Sequence, residues 1–400
     1  MKPVQRHIDP VLLTCVLMLV GLGIVMVYSA GAIRAADLFG KEHHYLFRQA
    51  TYAGIGLAVM LVASRIPYQL YKRWTYPVLG AVLLMLVLVL IPGIGSTQGG
   101  ATRWLSLGSF YVQPSELAKF ALVLYLAYSL TKKQGHIDTF SIGILPHLIV
   151  AGVALMLILV EPDFGTTAVL AAILFAMMFV AGTRILHLAG LFAAAAPLAF
   201  VAMMGAEYRR DRFIAFLDPW PHQADTGFQL IQSWLAFHNG GVFGAGLGAG
   251  TQKLFYLPAA HTDFIFSVLG EELGLWGVLL TLILFGAFIF RGTTFAGRAP
   301  DLFGRLLGIG ITFIIGLQAV INMMVVMGLL PTKGLTLPFV SYGGSSMVAY
   351  LFMVGVLLNI SSQALVGNRR IVGGLPDSPD QRWSPIGGAR SAASRPSRGQ

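Results

Sequence analysis

Residues 139–183 read TFSIGILPHLIVAGVALMLILVEPDFGTTAVLAAILFAMMFVAGT. Two charge-free apolar runs, Thr139–Val160 and Phe164–Thr183, are separated only by Glu161-Pro162-Asp163. A helix needs about 20 apolar residues to cross roughly 30 Å of hydrocarbon. In lipid every backbone N–H and C=O must be satisfied internally, so a single segment of this kind crosses as a helix. The stretch therefore predicts two antiparallel membrane spans joined by a short acidic turn, Glu161-Pro162-Asp163-Phe164-Gly165.

Outward from this pair the pattern recurs. Charge-free runs cover Val11–Tyr28, Gln49–Ser64, Trp74–Thr102, Ile185–Ala206, Leu273–Phe290, Leu306–Thr332 and Gly334–Asn368, and Pro114–Thr131 is apolar except for Glu116 and Lys119. The fold class expected is an all-α integral membrane protein with about ten transmembrane helices. Composition agrees: 56% of residues are hydrophobic and 11% charged, with mean hydropathy +0.75. A soluble domain carries about 25% charged residues, so there is too little charge here to coat a globule. The single cysteine, Cys15, excludes an internal disulfide and a Cys-rich metal site. Ala30-Gly31-Ala32 has the look of a signal cleavage site, but Val11–Tyr28 exceeds the usual apolar region of about 7–15 residues. Asp9 also precedes it, so a retained first span is expected.

The net charge of +10 lies at the ends of apolar runs and in the tail. That is a topology signal and excludes a nucleic-acid footprint. With the N-terminus inside, inner segments hold 17 Lys and Arg against 9 outside, which favours both termini in the cytoplasm. The polytopic membrane domain then spans residues 1–368. Residues 369–400, rich in Gly, Pro, Ser and Arg, are expected to form a disordered cytoplasmic tail. Three of the outer segments stand out: Ile94–Gln113, the acidic turn, and a long loop over 207–262 between spans seven and eight. Within that loop Phe228, Ile231, Trp234 and Leu235 fall at helical spacing. They predict a short amphipathic helix, lying in the outer interface or packed on the tops of the spans. Either way the extracytoplasmic loop is ordered.

Several polar groups are expensive where they sit. Glu116 and Lys119 share one face of a span; they read as a functional pair or as a mutual ion pair with a snorkelling lysine. Gln318 and Asn322, at i and i+4, suit interhelical hydrogen bonding or ligand contact. The stretch Gly240–Gly250 loosely matches a dinucleotide fingerprint but lacks the preceding strand and βαβ unit, so that reading is rejected. A backbone approaching another loop or a ligand closely remains. His261-Thr-Asp263-Phe-Ile-Phe266 and Glu271-Glu272 place three carboxylates at the mouth of the eighth span, and Asp263 reads equally as a plain helix cap. No metal-binding spacing of the HExxH kind occurs. Finally, Pro331–Ser346 interrupts helix at membrane depth, which is tolerated only against protein or a watered cavity. Together these groups describe a polar, outward-opening pocket ringed by Lys and Arg, suited to an anionic lipid headgroup.

These residues resemble the SEDS family (shape, elongation, division and sporulation), and within it the FtsW cell-division branch. The resemblance is carried by Arg103-Trp-Leu with Gln113-Pro-Ser-Glu-Leu-Ala-Lys119, Glu161–Gly165, Arg210-Asp-Arg-Phe213, Gln232-Ser-Trp through Gly250, His261–Gly274 and Gly328–Ser346, over roughly residues 9–368. Pro331–Pro338 and, more weakly, Tyr28-Ser-Ala30 point to the division branch rather than its elongation relative RodA.

The resemblance implies a peptidoglycan glycosyltransferase of the bacterial inner membrane at the division septum. It would polymerise lipid II at the outer leaflet, together with a class B penicillin-binding transpeptidase and other divisome membrane proteins. It implies Asp263 as the catalytic residue, and Arg103, Glu116, Lys119, Arg210, Arg212, Lys333 and Ser341 as substrate-binding positions. The chemistry is consistent with that. An α-linked pyrophosphate donor giving a β-1,4 bond requires one inversion, hence one displacement. The minimal kit is a base for the acceptor hydroxyl and cations for the departing pyrophosphate. Asp263 could be that base, or could hold a divalent cation such as Mg or Mn. Two readings from other classes stand beside it: a lipid II flippase, and a non-catalytic divisome scaffold.

Overall fold

The computed structural model describes residues 8–98, 101–108, 110–253 and 260–372; the remainder of the expected tail, from 373 on, lies outside them. Ten helices fall in the expected order of spans. They are α1 (Pro10–Phe39), α2 (His44–Arg65), α3 (Tyr71–Leu90), α4 (Pro114–Lys132), α5 (Leu145–Val160), α6 (Phe164–Val180), α7 (Ile185–Met204), α10 (Ile265–Gly297), α11 (Leu302–Val326) and α12 (Gly344–Val372). Among the described residues, eight are long and apolar enough to cross a membrane, and α6 is a shorter apolar helix. The tenth, α4, carries the Glu116 and Lys119 charges. Two further helices, α8 (Glu207–Leu217) and α9 (Phe228–Gly240), occupy the long loop.

Local sequence sets the helix starts. Asp9 caps α1, accepting from the Leu12 N–H at 2.7 Å with proline in the first turn, the pairing expected of a helix N-terminus. The same carboxylate forms an ion pair with Arg291 of α10. α4, α11 and α12 form the buried centre, with α4 enclosed nearly all round. Peripheral α7 leaves Ile185 73%, Leu186 79% and Leu198 72% exposed; that apolar outer surface requires lipid as its solvent. Small residues let backbones meet, as membrane helices require. A Cβ on Gly355 of α12 would stand 2.4 Å from the Met60 carbonyl oxygen of α2.

The membrane domain is helical as expected, but the outer loop adds a sheet that the apolar pattern did not disclose. Strands β1 (Gly95–Gln98), β2 (Ala101–Leu107) and β3 (Phe110–Val112) pair antiparallel in sequence order, with Gly95 opposite Leu105 and Leu105 opposite Val112. The charge-free run Trp74–Thr102 is thus not one span. α3 stops at Leu90 ahead of Pro92 and Gly93, whose φ of 89° no helix accommodates.

The eighth span also begins earlier than its charge-free run. α10 includes Glu271 and Glu272 because the glycine-rich segment satisfies them. Gly274 takes φ 65° and breaks the helix, and the Gly240–Gly246 backbone splices into the break. The Leu275 N–H donates to the Gly241 carbonyl (3.0 Å), while the Ala245 and Gly246 N–H groups donate to the Glu271 and Glu272 carbonyls (2.9 and 3.0 Å). A Cβ on Gly244 would lie 2.3 Å from the Glu272 carbonyl oxygen, so only glycine fits. The Glu271 carboxylate accepts from the Thr251 N–H at 2.8 Å; Glu272 pairs with Lys253 at 2.6 Å and accepts from Ser29 of α1. The glycines therefore serve close approach of loop to helix. Of the two placements expected for the loop helix, packing on the spans is the one observed: Ser233 of α9 lies 2.7 Å from Ser267, and the Trp234 indole donates to the Met327 carbonyl at 3.2 Å.

Candidate active site

Where α1, α2, α4, α6 and α8 meet the irregular segment before α12, a cavity of about 950 Å³ opens. Among the described residues Arg34, Arg48, Arg103, Arg209, Arg212 and Lys333 line it, against only Glu116, Asp163 and Asp263. Six cations against three carboxylates in one cleft focus a positive potential, which suits a polyanion and disfavours a cationic or neutral ligand.

Asp263 stands at the wall of this cavity. The cap of α10 is Phe264, with no side-chain cap bond, so the plain-cap reading of Asp263 is set aside. Its backbone is held with unusual care. Three successive carbonyls accept hydrogen bonds: His261 from the Tyr342 N–H (2.9 Å), Thr262 from the Ser341 hydroxyl (2.6 Å) and Asp263 from the Asn322 amide (2.9 Å). Asn322 also donates to the Leu335 carbonyl at 2.6 Å, and the Ser341 hydroxyl accepts from the Leu337 N–H at 2.8 Å. The irregular Pro331–Tyr342 segment and the His261–Asp263 segment thus form one fixed unit. Burial raises the Asp263 carboxyl to about 6; the nearby Arg212 and Arg103 guanidiniums pull against that rise and Asp163 adds to it. A carboxylate of this kind is a stronger base than an exposed one while remaining ionised at neutral pH.

This unit yields a first prediction. Asn322→Leu and Ser341→Ala each leave backbone groups of the paired segments without their partner, at a cost of about 1–3 kcal/mol apiece. Each variant is expected to unfold at lower temperature than the parent, and the pair to be non-additive because both hold one segment. Unchanged thermal midpoints for both would show that the segments are held by other contacts.

The structure sorts the residues implied by the sequence. Arg103, Glu116, Arg212, Lys333 and Asp263 share the cavity. The Arg103 guanidinium also reaches behind the acidic turn, donating to the carbonyls of Glu161 (2.9 Å) and Pro162 (2.5 Å). Lys333 lies over the Phe164 ring at 5.0 Å, and burial lowers its pKa. Three others stand apart from the lining. Lys119 is fully buried, its ammonium donating to Glu116 (2.7 Å), Gln318 (2.6 Å) and the Tyr350 hydroxyl (2.9 Å). That engages all three donors of a lysine and realises the mutual-pair reading. Ser341 is buried in the backbone unit described above. Arg210 points away on α8, exposed and 3.7 Å from Asp211, while its neighbours in sequence, Arg209 and Arg212, face the cavity; a helix turns successive residues by 100° to different sides. Asp163 caps α6, accepting from the Thr166 N–H at 3.0 Å.

The motifs do not single out Arg34, Arg48, Arg209 or Tyr45, nor the aromatic wall that Tyr45 forms with His261 and Tyr342. A lone arginine at the end of an apolar run, such as Arg34 or Arg48, reads as a topology signal and carries no sign of what it faces. Glu161 is buried, and among the described residues neither of its carboxylate oxygens has a hydrogen-bond partner; burial, with Asp163 beside it, raises its pKa to about 8. Among the described residues no group of three His, Cys, Asp or Glu is disposed to hold a metal ion. A divalent ion here would have to take Asp263 together with oxygens of a phosphate-bearing substrate, the mode usual for magnesium.

A multi-span helical bundle with a cationic, carboxylate-bearing cavity at one end defines a multi-pass membrane protein, and its relatives show the family. A family model described as "Cell cycle protein", covering the FtsW, RodA and SpoVE proteins, matches residues 10–365, and the chain belongs to that family. It is 47% identical over 363 residues to a probable peptidoglycan glycosyltransferase FtsW of Geobacter metallireducens, covering 91% of this chain and 96% of that protein. Stage V sporulation protein E of Bacillus subtilis is 42% identical over 88% of each chain. Among solved structures, the fold matches a chain from a study of "Structural coordination of polymerization and crosslinking by a peptidoglycan synthase complex", with TM-score 0.74 and 31% identity over 90% of this chain and 98% of that one. It also matches Thermus thermophilus RodA, with TM-score 0.66 and 30% identity over 90% and 98%.

Proposed function

We propose that this chain is a peptidoglycan glycosyltransferase of the FtsW type that polymerises lipid II at the outer leaflet of the bacterial inner membrane, at the septum. The observation that carries this reading is the position of Asp263, a half-buried carboxyl at the wall of a cavity otherwise dominated by cations. The acceptor 4-hydroxyl passes its proton to Asp263. Its oxygen forms a bond to the donor's anomeric carbon as the bond from that carbon to pyrophosphate breaks, and the electron pair leaves on the pyrophosphate. One displacement inverts α to β. Charge grows on the departing phosphate, where Arg212, Arg103 and Lys333 can stabilise it, the guanidiniums in bidentate fashion. A divalent cation, magnesium or manganese, is a further proposed aid at Asp263; no step above is routed through it. The partner proposed is a class B penicillin-binding transpeptidase with other divisome membrane proteins, supported by the likeness to a chain from a synthase complex.

The test uses the purified protein with its cognate transpeptidase and lipid II, resolving glycan chains on a gel across pH. A base ionising near 6 is protonated, and inactive, below that pH. The rate at sub-saturating lipid II is therefore expected to fall about tenfold per unit below pH 6 and to level off above it. No chains at any pH, with scrambling of labelled lipid II in vesicles, would replace the polymerase by a transporter.

A further inference from the structure

The glycine-rich segment Gly240–Gly250 takes no part in the cavity. It is built from Gly, Ala, Val, Leu and Phe alone, without one polar side chain. A loop that faces water is ordinarily polar, yet this one turns its large side chains outward. Phe243 is 86% exposed, and Val242 and Leu247 are exposed beside it. The patch continues onto α10 through Leu275 and Trp276, the latter 63% exposed. Further along α10, Leu279, Ile283 and Phe290 extend the same apolar stripe, which lipid must cover.

The height of the loop on this stripe is fixed. The Leu275 N–H donates to the Gly241 carbonyl at 3.0 Å, and a Cβ on Gly274 would stand 2.3 Å from the Gly244 nitrogen. Arg291, paired with Asp9 at the start of α1, marks the opposite end of the bundle. No residue between Trp276 and Arg291 is charged. At 1.5 Å per helical residue the two stand about 22 Å apart, within a hydrocarbon layer of roughly 30 Å. Trp276, Leu275 and the loop spliced beside them therefore lie inside the apolar layer, on the cavity side, and not above it. Backbone at that depth must be satisfied internally, and this backbone is. The N–H groups of Gly241, Gly244, Ala245, Gly246 and Ala249 donate to the carbonyls of Phe237, Gly240, Glu271, Glu272 and Gly246, at 2.7–3.3 Å. Glu271 and Glu272 turn inward to Thr251 and Lys253, which withholds their charge from the tip.

We propose that Gly240–Gly250 is a membrane-inserted loop, whose Val242, Phe243 and Leu247 enter the lipid leaflet on the cavity side beside Trp276. The shape of the tip selects lipid as its cover. A Cβ on Gly241 or Gly248 would meet nothing within 4 Å, so the tip is a free ridge. Fluid acyl chains close around such a ridge, whereas a partner helix needs a groove to seat in. Trp276 suits the aromatic level at a leaflet boundary. Since α9 ends at Gly240, the inserted loop sets the height of α9 against the leaflet, whatever chemistry the cavity performs.

The experiment attaches a bimane fluorophore to Phe243→Cys in a Cys15→Ala background, with the full chain in nanodiscs of phosphatidylethanolamine and phosphatidylglycerol. Two quenchers report its surroundings: lipid carrying a nitroxide on its acyl chain, and iodide in the water. Ile283→Cys on the lipid-facing stripe and Gln223→Cys in the exposed turn after α8 supply the lipid and water limits. The label at position 243 is expected to be quenched at least twofold more by nitroxide lipid, and at least twofold less by iodide, than the label at 223. The same values are expected with the cognate transpeptidase present. Val242→Cys and Leu247→Cys replace Phe243→Cys if its thermal midpoint falls below the parent's. A label at 243 quenched like that at 223 would put the loop in water and overturn the proposal. A label reached by lipid in the free chain, but by neither quencher once the transpeptidase is bound, would assign the ridge to that protein and overturn it as well.

Discussion

Asp263→Asn is expected to cut glycan synthesis by about 10²–10⁴-fold, the usual contribution of a positioned general base, while leaving a folded protein that is more thermostable than its parent at pH 7. The two halves share one cause. Asn is nearly isosteric with Asp, and the three hydrogen bonds that hold the His261–Asp263 segment use backbone carbonyls, so the substitution leaves them in place. What it removes is a proton-accepting oxygen and a half-buried charge. The folded carboxyl is raised to about 6 from an ordinary 3.8. A raised folded value means that the group's contribution to stability is full below about 3.8 and is lost as pH rises through about 6. The parent therefore carries the cost of a buried carboxylate above pH 6, and the amide does not. Melting curves of both proteins should separate above pH 6 and converge toward pH 4. Turnover near that of the parent would remove Asp263 from the base role. Stability lower than the parent at pH 7 would show that the carboxylate is held by partners that offset its burial.

Much of the bundle was legible because lipid imposes a simple rule: a run of some 20 residues without charge has few alternatives to a spanning helix. The rule fails where a run lacks charge for another reason. Gly95–Gln98 is neutral yet polar, and it forms a strand; Glu271 and Glu272 are charged yet helical, because the Gly240–Gly246 backbone, Thr251 and Lys253 meet them. The cavity was only partly legible. Residues in dense motifs, such as Arg103, Arg212, Asp263 and Lys333, came together as expected. Arg34, Arg48 and Tyr45 sit on ordinary helix ends, and only the packing of α1 against α2 and the irregular segment before α12 turns them to one site. The same packing separates Arg210 from Arg212 and draws Lys119 inward, two distinctions that depend on helix rotation about its axis and not on residue type.

Lys119 gives the second large effect. Lys119→Met is expected to destabilise the protein by about 3–5 kcal/mol, the cost of stranding one partner of a buried ion pair, and to suppress glycan synthesis through Glu116. The geometry requires this order of events. The ammonium is fully buried and gives its three donors to Glu116, Gln318 and Tyr350, so none is free for a phosphate. Glu116, one helical turn toward the outer end, does line the cavity. Lys119 thus orients Glu116 and ties α4 to α11 and α12; it is a positioning residue. Removing both charges tests the assignment. In Glu116→Gln with Lys119→Met no buried charge is stranded, so most of the lost stability should return, while synthesis stays low because the cavity has lost its inner carboxylate. Thermal melts of the two single variants and the double, read beside lipid II binding, decide it. A Lys119→Met protein that melts like its parent but binds lipid II tenfold or more weakly would place the ammonium on the substrate, as the family resemblance alone implied.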